Sequence, residues 1–210
     1  MDAVTWDARY TGSGLVWGAA PNLFVVAEFQ GSPPGRALDI ACGEGRNAIW
    51  LATRGWQATG IDFSPVGLDR AAGLAADAGV ADRVDFVVGD VVAGPLPPGP
   101  FDAVIVAYLQ LPAPQRRAAL RRAAQVVAPG GTLLVVGHDT TNLADGAGGP
   151  QDPAVLFTPE EVQADLADLP DLIAEKAGRV RRPMATSDGE RVAVDALVRV
   201  RRTTGGPSGR

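Results

Sequence analysis

Ala37-Leu38-Asp39-Ile40-Ala41-Cys42-Gly43-Glu44-Gly45 decides the architecture. Its first five residues form a short apolar run suited to a buried strand, and its end is a turn of small residues. Residues 47–53, closed by Gly55, then read as a helix. A strand that passes straight into a helix opens a parallel α/β sheet, because a parallel neighbour is reached only by a crossover. The unit recurs downstream. Residues 57–62 read as a second strand, and residues 65–78 as a helix with proline in its first turn and Gly79 beyond its end. Residues 83–88 and 101–106 read as further strands, the latter nearly all apolar. Residues 114–127 read as a helix with Arg116, Arg117, Arg121 and Arg122 on its wet side. Residues 132–136 form a fifth strand behind Pro129-Gly130-Gly131. Continuous apolar strands between amphipathic helices call for a sheet covered on both faces.

After Gly137 the rhythm changes. A long polar loop spans 138–153, and Thr158 with Glu161 three positions on predicts a capping box. Residues 172–182 and 191–201 alternate apolar and polar around Ser187-Asp188-Gly189, the signature of a β-hairpin. The expected fold is therefore α/β, with a seven-stranded, mostly parallel sheet, helices on both faces and an antiparallel C-terminal hairpin. A Pro-Gly break at 32–35 sets off an N-terminal segment. Residues 1–202 form one expected domain, with 1–30 as that segment, and the glycine-rich 203–210 reads as a disordered tail.

The chain has 210 residues, 46% of them hydrophobic, which suits a single globular domain. Its 19 basic and 24 acidic residues give a net charge of -5. With no basic cluster, nucleic acid and membrane surfaces are poor partners. One cysteine, Cys42, excludes an intrachain disulfide and a cysteine-based zinc site, and one histidine, His138, excludes a histidine pair on a metal. No metal site is expected. No apolar run approaches a membrane span and the N-terminus does not resemble a secretion signal, so a cytoplasmic location is expected.

In an open α/β sheet, ligands gather beyond the carboxyl ends of the strands. The residues there form a coherent set. The first strand gives Asp39 and the turn with Ala41, Gly43 and Gly45, whose small residues let a ligand approach the backbone. The second ends in Asp62, a carboxylate able to accept both hydroxyls of a ribose. The third ends in Gly89-Asp90, where a carboxylate can meet an adenine amino group. Each acid also has a local alternative: Asp62 could cap the next helix, as could Ser64, and Asp90 could close a turn.

These features resemble the class I S-adenosylmethionine-dependent methyltransferases, over roughly residues 6–200. The family's acid-x-Gly-x-Gly-x-Gly motif stands here as Asp39-x-Ala41-x-Gly43-x-Gly45, with alanine at the first glycine. The family fold is Rossmann-like and ends in an antiparallel hairpin. Gly43-Glu44-Gly45-Arg46-Asn47 with Leu51-Ala52 and Gly55 looks like the tellurite-resistance and thiopurine methyltransferase-like branch. So does Trp6-Asp7-x-Arg9-Tyr10 with Trp17 and Pro21-Asn22, and in that branch the N-terminal segment folds over the cofactor as a lid.

The resemblance implies S-adenosyl-L-methionine as cofactor. It assigns Asp62 to the ribose, Asp90 to the adenine amino group and the Val91 N–H to the adenine edge, with Phe63 packing on the ring. Asp39 and Gly43 would line the methionine part, and Trp17 and Tyr10 the lid, the alternative for these two being packing of an N-terminal helix on the sheet. Ala107 and Tyr108 follow the fourth strand, where acceptor meets sulfonium. Gln110 stands where related sequences often carry histidine. Arg9 either meets an anionic group or forms a surface ion pair, and Cys42 reads as a small buried residue of the motif.

His138 follows the fifth strand and is placed to take a proton from an acceptor hydroxyl, with Asp139 beside it to orient or cap. The alternative is a polar loop residue. Asn142, Asp145 and Asp152 in the following loop would suit a hydroxyl-rich acceptor. The expected activity is methyl transfer to a small-molecule hydroxyl, a sugar or phenol, with His138, Tyr108 and Asp139 as catalytic residues, in a monomer or homodimer. Its rivals are a thiol, tellurite or selenite methyltransferase, a cofactor-binding protein without turnover, and a nicotinamide oxidoreductase, which the loop pattern and hairpin disfavour.

Overall fold

The computed structural model describes residues 3–12, 14–186 and 189–205. Two short helices come first, α1 (Ala3–Tyr10) and α2 (Leu23–Phe29). The alternating units are β1 (Arg36–Ile40), α3 (Arg46–Thr53), β2 (Gln57–Asp62), α4 (Pro65–Asp77) and β3 (Val84–Val88), then β4 (Phe101–Ala107), α5 (Ala113–Gln125) and β5 (Val127–His138). The chain closes with α6 (Asn142–Asp145), α7 (Pro159–Leu166), β6 (Leu172–Thr186) and β7 (Gly189–Arg202). The seven strands form one sheet in the order β3-β2-β1-β4-β5-β7-β6. β1 pairs in parallel with β2 on one side and β4 on the other, and β7 alone runs against the rest, pairing antiparallel with both β5 and β6. The strand order therefore reverses between β1 and β4, the place where such sheets open a crevice at their carboxyl ends.

Side-chain alternation explains the two cores. Leu38, Ile40, Val104, Val106, Leu133 and Val135 are buried on one face with Leu120 of α5 and Val162 of α7. Ala37, Ala103, Ile105, Leu134, Val136 and Leu197 face the other way, against Phe24, Val25 and Phe29 of α2 and Leu51 of α3. Fully burying such a side chain contributes roughly 1.5–3 kcal/mol, so the central strands cannot slip without exposing a whole row. α3 and α4 meet through Ala48, Ala52 and Ala75, small residues that bring the helices close to the sheet. The predicted capping box is present: the Thr158 hydroxyl accepts from the Glu161 N–H and the Glu161 carboxylate accepts from the Thr158 N–H.

Three expectations change. The arginines of α5 are not a wet stripe, because α7 packs beside that helix on the same face of the sheet. Arg116 is buried, donates to Asp165 at 2.8 Å and covers the Phe157 ring, and Arg117 shares the same carboxylate. Arg121 pairs with Asp168, and Arg122 donates to the Val92 and Gly94 carbonyls. The stretch after Gly137 is no free polar loop either. β5 continues through His138, and the buried Asn142 acts as a further strand residue: its Oδ1 accepts from the Val194 N–H at 2.7 Å and its Nδ2 donates to the Gly148 carbonyl. Lastly, Thr203 donates to the Asp171 carbonyl at 2.8 Å, so the tail is held at its start. Ser187 and Asp188 of the expected turn, and 206–210 of the tail, lie outside the described residues. Among the described residues no helix is long and apolar enough to cross a membrane.

Candidate active site

The turn after β1 is built on three left-handed residues at alternate positions, Ala41 (φ 56°), Gly43 (φ 55°) and Gly45 (φ 75°). Left-handed backbone costs an L-residue about 1–2 kcal/mol, which the surrounding contacts must offset at Ala41. Gly45 begins α3 with no side chain to cap it. Asp39 does that work from inside the strand, its Oδ2 accepting from the Ala48 N–H at 3.3 Å. Burial pushes the Asp39 carboxyl up to about 7. Asp62 joins two turns. Its Oδ2 accepts from the Gly43 N–H and its Oδ1 from the Ser64 N–H, both at 2.9 Å, and burial raises its pKa despite these bonds. An ionised carboxylate has about four lone-pair sites, so acceptor capacity remains for a hydroxyl. Ser64, not Asp62, caps α4.

Asp90 is exposed and its Oδ1 closes a turn on the Val92 and Ala93 N–H groups at 2.7 and 3.2 Å, leaving Oδ2 with no hydrogen-bond partner among the described residues. Phe63 is half-buried and Val91 buried beside these two acids. Cys42 is buried and free.

The N-terminal segment is fastened over this turn. Asp7 accepts from the Ser64 hydroxyl, Arg70 donates to the Tyr10 and Gly14 carbonyls, and Glu44 accepts from the Val16 N–H. Arg46 donates to the Trp17 carbonyl at 3.0 Å, and Asn47 accepts from the Asn22 N–H at 2.9 Å. Tyr10 is buried, and burial pushes its phenol up to about 12. A Cβ at Gly43 would stand 2.6 Å from the Tyr10 hydroxyl and 3.6 Å from the Trp17 indole nitrogen. That glycine therefore makes room for the segment above it. Arg9 lies over the Trp6 ring, 4.8 Å from its centroid.

A second cluster forms at the carboxyl ends of β4 and β5, against β7 and β6. Ala107 is half-buried, and Tyr108 follows in left-handed backbone (φ 59°). Such a conformation in a bulky residue marks a place where the surroundings dictate the side chain's direction. Its hydroxyl donates to Asp195 Oδ2 at 2.7 Å, and Arg182 Nε donates to both the Tyr108 hydroxyl and Asp195 Oδ2 at 2.8 Å. The His138 ring lies 5.1 Å from the Tyr108 ring, and its Nδ1 is 3.2 Å from Asp195 Oδ1. His138 and Asp195 are register partners across β5 and β7. Gly149 (φ 77°) roofs the imidazole: a Cβ there would lie 2.7–2.8 Å from Cδ2, Cγ and Nε2. Burial and the Asp195 carboxylate both push the Tyr108 phenol upward. Asp195 is fully buried, yet hydrogen bonds from His138, Arg182 and Tyr108 outweigh that desolvation and hold it below the usual carboxylate range.

Some predicted residues do not join this cluster. Asp139 points to the opposite face from His138, as strand alternation requires, and its Oδ1 accepts from Thr141 and from Arg179 Nε. Gln110 is a fastener, accepting from the His138 N–H at 2.8 Å and donating to the Val155 carbonyl. Asn142 is spent on the backbone of β7, and Asp152 caps a short 3-10 turn. Conversely, Asp195 and Arg182 were not anticipated. The available signal was a lone acid inside the apolar run 192–198. Among the described residues no group of three or more His, Cys, Asp or Glu could hold a metal ion.

Residues 37–131 match the family model described as a methyltransferase domain. That stretch is similar to methyltransferase domains. The sheet order and C-terminal antiparallel pair match the Rossmann-like fold of a solved methyltransferase. It is 38% identical over 104 residues to a probable chloroplastic tocopherol O-methyltransferase of Oryza sativa subsp. japonica, a match spanning 49% of this chain and 29% of that one. The chain spans 29–57% of the length of such curated relatives. A structure from work on converting a disulfide bond into a thioacetal group during echinomycin biosynthesis superposes with a TM-score of 0.76 at 23% identity, over 98% of this chain and 93% of that one. The N-methyltransferase NodS of Bradyrhizobium japonicum WM9, in complex with S-adenosyl-L-homocysteine, superposes with a TM-score of 0.70 at 19% identity, over 95% and 97%.

Proposed function

We propose that this chain transfers a methyl group from S-adenosylmethionine to a hydroxyl oxygen of a small organic acceptor, with His138 as the base. The observation that carries this reading is the imidazole at the end of β5, nearly buried, with Nδ1 turned to Asp195 and Nε2 left to accept a proton. The tocopherol O-methyltransferase likeness is in keeping with an oxygen acceptor.

The residues beyond β1, β2 and β3 fit the cofactor. Asp62 keeps acceptor capacity for a ribose hydroxyl, Asp90 Oδ2 is open for an amino group, and Gly43 with Ala41 brings bare backbone to the methionine part under Tyr10 and Trp17. When bound, S-adenosylmethionine supplies a methyl carbon on a sulfonium, an electrophile that needs alignment more than activation. The protein's share is to hold the acceptor in line beside Tyr108 and to exclude water with the N-terminal segment. A neutral hydroxyl is a poor nucleophile, and a positioned base adds about 10²–10⁴-fold in rate by taking its proton. His138 Nε2 takes that proton, and the imidazolium returns it to solvent after release.

Labelled methyl transfer to a panel of phenols, sugars, amines, thiols, selenite and tellurite tests the reading. Product from a hydroxyl acceptor, lost in His138→Ala while S-adenosylhomocysteine still binds, is the expected result. Product confined to thiols or chalcogen oxyanions, with His138→Ala indifferent, would overturn it. Binding without product from any acceptor class would favour a protein that holds the cofactor without turnover.

A further inference from the structure

We propose that Asp195 is a positioning residue for His138, and that Arg182 and Tyr108 balance its charge so that the imidazole stands as the Nδ1–H tautomer with Nε2 free. The proposal rests on the reading above only for its catalytic consequence; the tautomer is a property of the resting protein.

Asp195 sits where an apolar residue belongs, between Val194 and Ala196 in a buried strand. A buried carboxylate without partners costs several kcal/mol, so its two oxygens must be satisfied. Oδ2 takes the Tyr108 hydroxyl and Arg182 Nε. Oδ1 and His138 Nδ1 are both buried, and neither has a hydrogen-bond partner among the described residues. They face each other at 3.2 Å, brought there by the β5–β7 register. One of the two must carry the proton. The Tyr108 hydroxyl and the Arg182 guanidinium on Oδ2 keep Asp195 ionised, so the proton belongs to Nδ1, and Nε2 is left with its lone pair.

Arg182 settles a further question. A bare carboxylate beside an imidazole favours the imidazolium, which cannot act as a base. Here the guanidinium on the far oxygen already neutralises Asp195, so protonating His138 would add a second positive charge to the cluster. Arg46, at the start of α3, is close enough to Arg182 and Tyr108 to feel both, and adds to the positive field. Asp139, next in sequence, points to the opposite face and is paired with Arg179.

His138 is the only histidine in the chain, so its ring titrates alone in a long-range proton–nitrogen NMR spectrum. That spectrum needs neither cofactor nor acceptor. The expected spectrum at pH 7.5 is that of the Nδ1–H tautomer. Arg182→Met should move the titration midpoint up by ~1 unit, and Tyr108→Phe should move it less in the same direction. Asp195→Asn should abolish the preference for Nδ1–H, and with an acceptor in hand should lower kcat with KM nearly unchanged. The acidic limb of the pH–rate profile should follow the NMR midpoint in each variant. An Nε2–H tautomer in the wild-type chain, or a midpoint unmoved in both Arg182→Met and Tyr108→Phe, would sink the proposal. Those two variants decide the matter if Asp195→Asn fails to fold. The expected tautomer in a protein whose turnover ignores His138→Ala would uphold the positioning and remove the base.

Discussion

The two halves of the crevice are assembled by different means. Beyond β1, β2 and β3, carboxylates grip backbone: Asp39 holds the Ala48 N–H, Asp62 the Gly43 and Ser64 N–H groups, Asp90 the Val92 and Ala93 N–H groups. At the ends of β4 and β5, against β7 and β6, side chains grip side chains: Tyr108, His138, Arg182 and Asp195 meet one another. The first kind of site fixes loops, so it suits a ligand recognised by exposed backbone and a few acids. The second fixes the direction and charge of individual groups, which is what a proton transfer needs. Damage should therefore show in binding and stability on one side, and in turnover on the other.

The largest effect is expected at Asp39. Its pKa lies near 7 in the folded chain and near 4 unfolded, so the folded state holds the extra proton between those values. Its contribution to stability is full below about pH 4 and is lost as pH rises through about 7, a change of roughly 4 kcal/mol at 1.36 kcal/mol per unit. Asp39→Asn keeps an acceptor for Ala48 and should remove that part. Urea melts of both chains at pH 5 and pH 8 should show the variant gaining relative stability at the higher pH. Equal gaps at the two pH values would mean that this carboxylate is not buried as described.

Asp62→Ala comes next. It strips two buried N–H groups of their acceptor together with the ribose contact, and should weaken S-adenosylhomocysteine by about 2–4 kcal/mol, roughly 30- to 1,000-fold. Calorimetric titration reads this directly, and unchanged affinity would blur the contrast between the halves.

On the other side, Gly149→Ala puts a methyl against the His138 ring in left-handed backbone. Turnover should fall by about 10²-fold, with the affinity for S-adenosylhomocysteine unchanged, because displacing a reacting group by an ångström costs about that much. An equal loss of cofactor affinity would show that the halves are not separable.

The smallest effect is expected at the fastening of the N-terminal segment. Asn47→Ala leaves the buried Asn22 N–H without its acceptor, at a cost of about 1–3 kcal/mol. The segment should become cleavable by protease while the 36–202 sheet stays intact. Uniform resistance would mean that the other fastenings suffice.

The same contrast explains what could be read from the residues alone. Asp39, Gly43, Gly45, Asp62 and Asp90 stand at strand ends in short local patterns, so the sheet and the turn positions followed from spacing. Most of their bonds to backbone span nine residues or fewer, the exception being the Asp62–Gly43 bond, which joins neighbouring strand ends. Tyr108 and His138 were visible as polar residues just past strands, but their partner was not. Asp195 reaches His138 only through an antiparallel pairing of residues 57 positions apart, and no local rule sets that register. Asp139 was a plausible neighbour for His138 by adjacency, yet adjacency in a strand sends two side chains to opposite faces. The α5 arginines likewise needed knowledge of α7, which supplies Asp165.

The β5–β7 pairing also acts as a ruler. Side chains in a strand alternate faces, so a single-residue insertion in β7 between Asp195 and Arg202 would turn the carboxylate away from His138 and present an apolar neighbour instead. A two-residue insertion would restore the face but shift the acid by one strand repeat, nearly 7 Å along the strand. Changes beyond Asp195, in the part of the ribbon that has left β5, carry no such penalty. Descendants of this chain are thus free to lengthen the tip of the hairpin and so vary what overhangs the crevice, while its stem must keep its count.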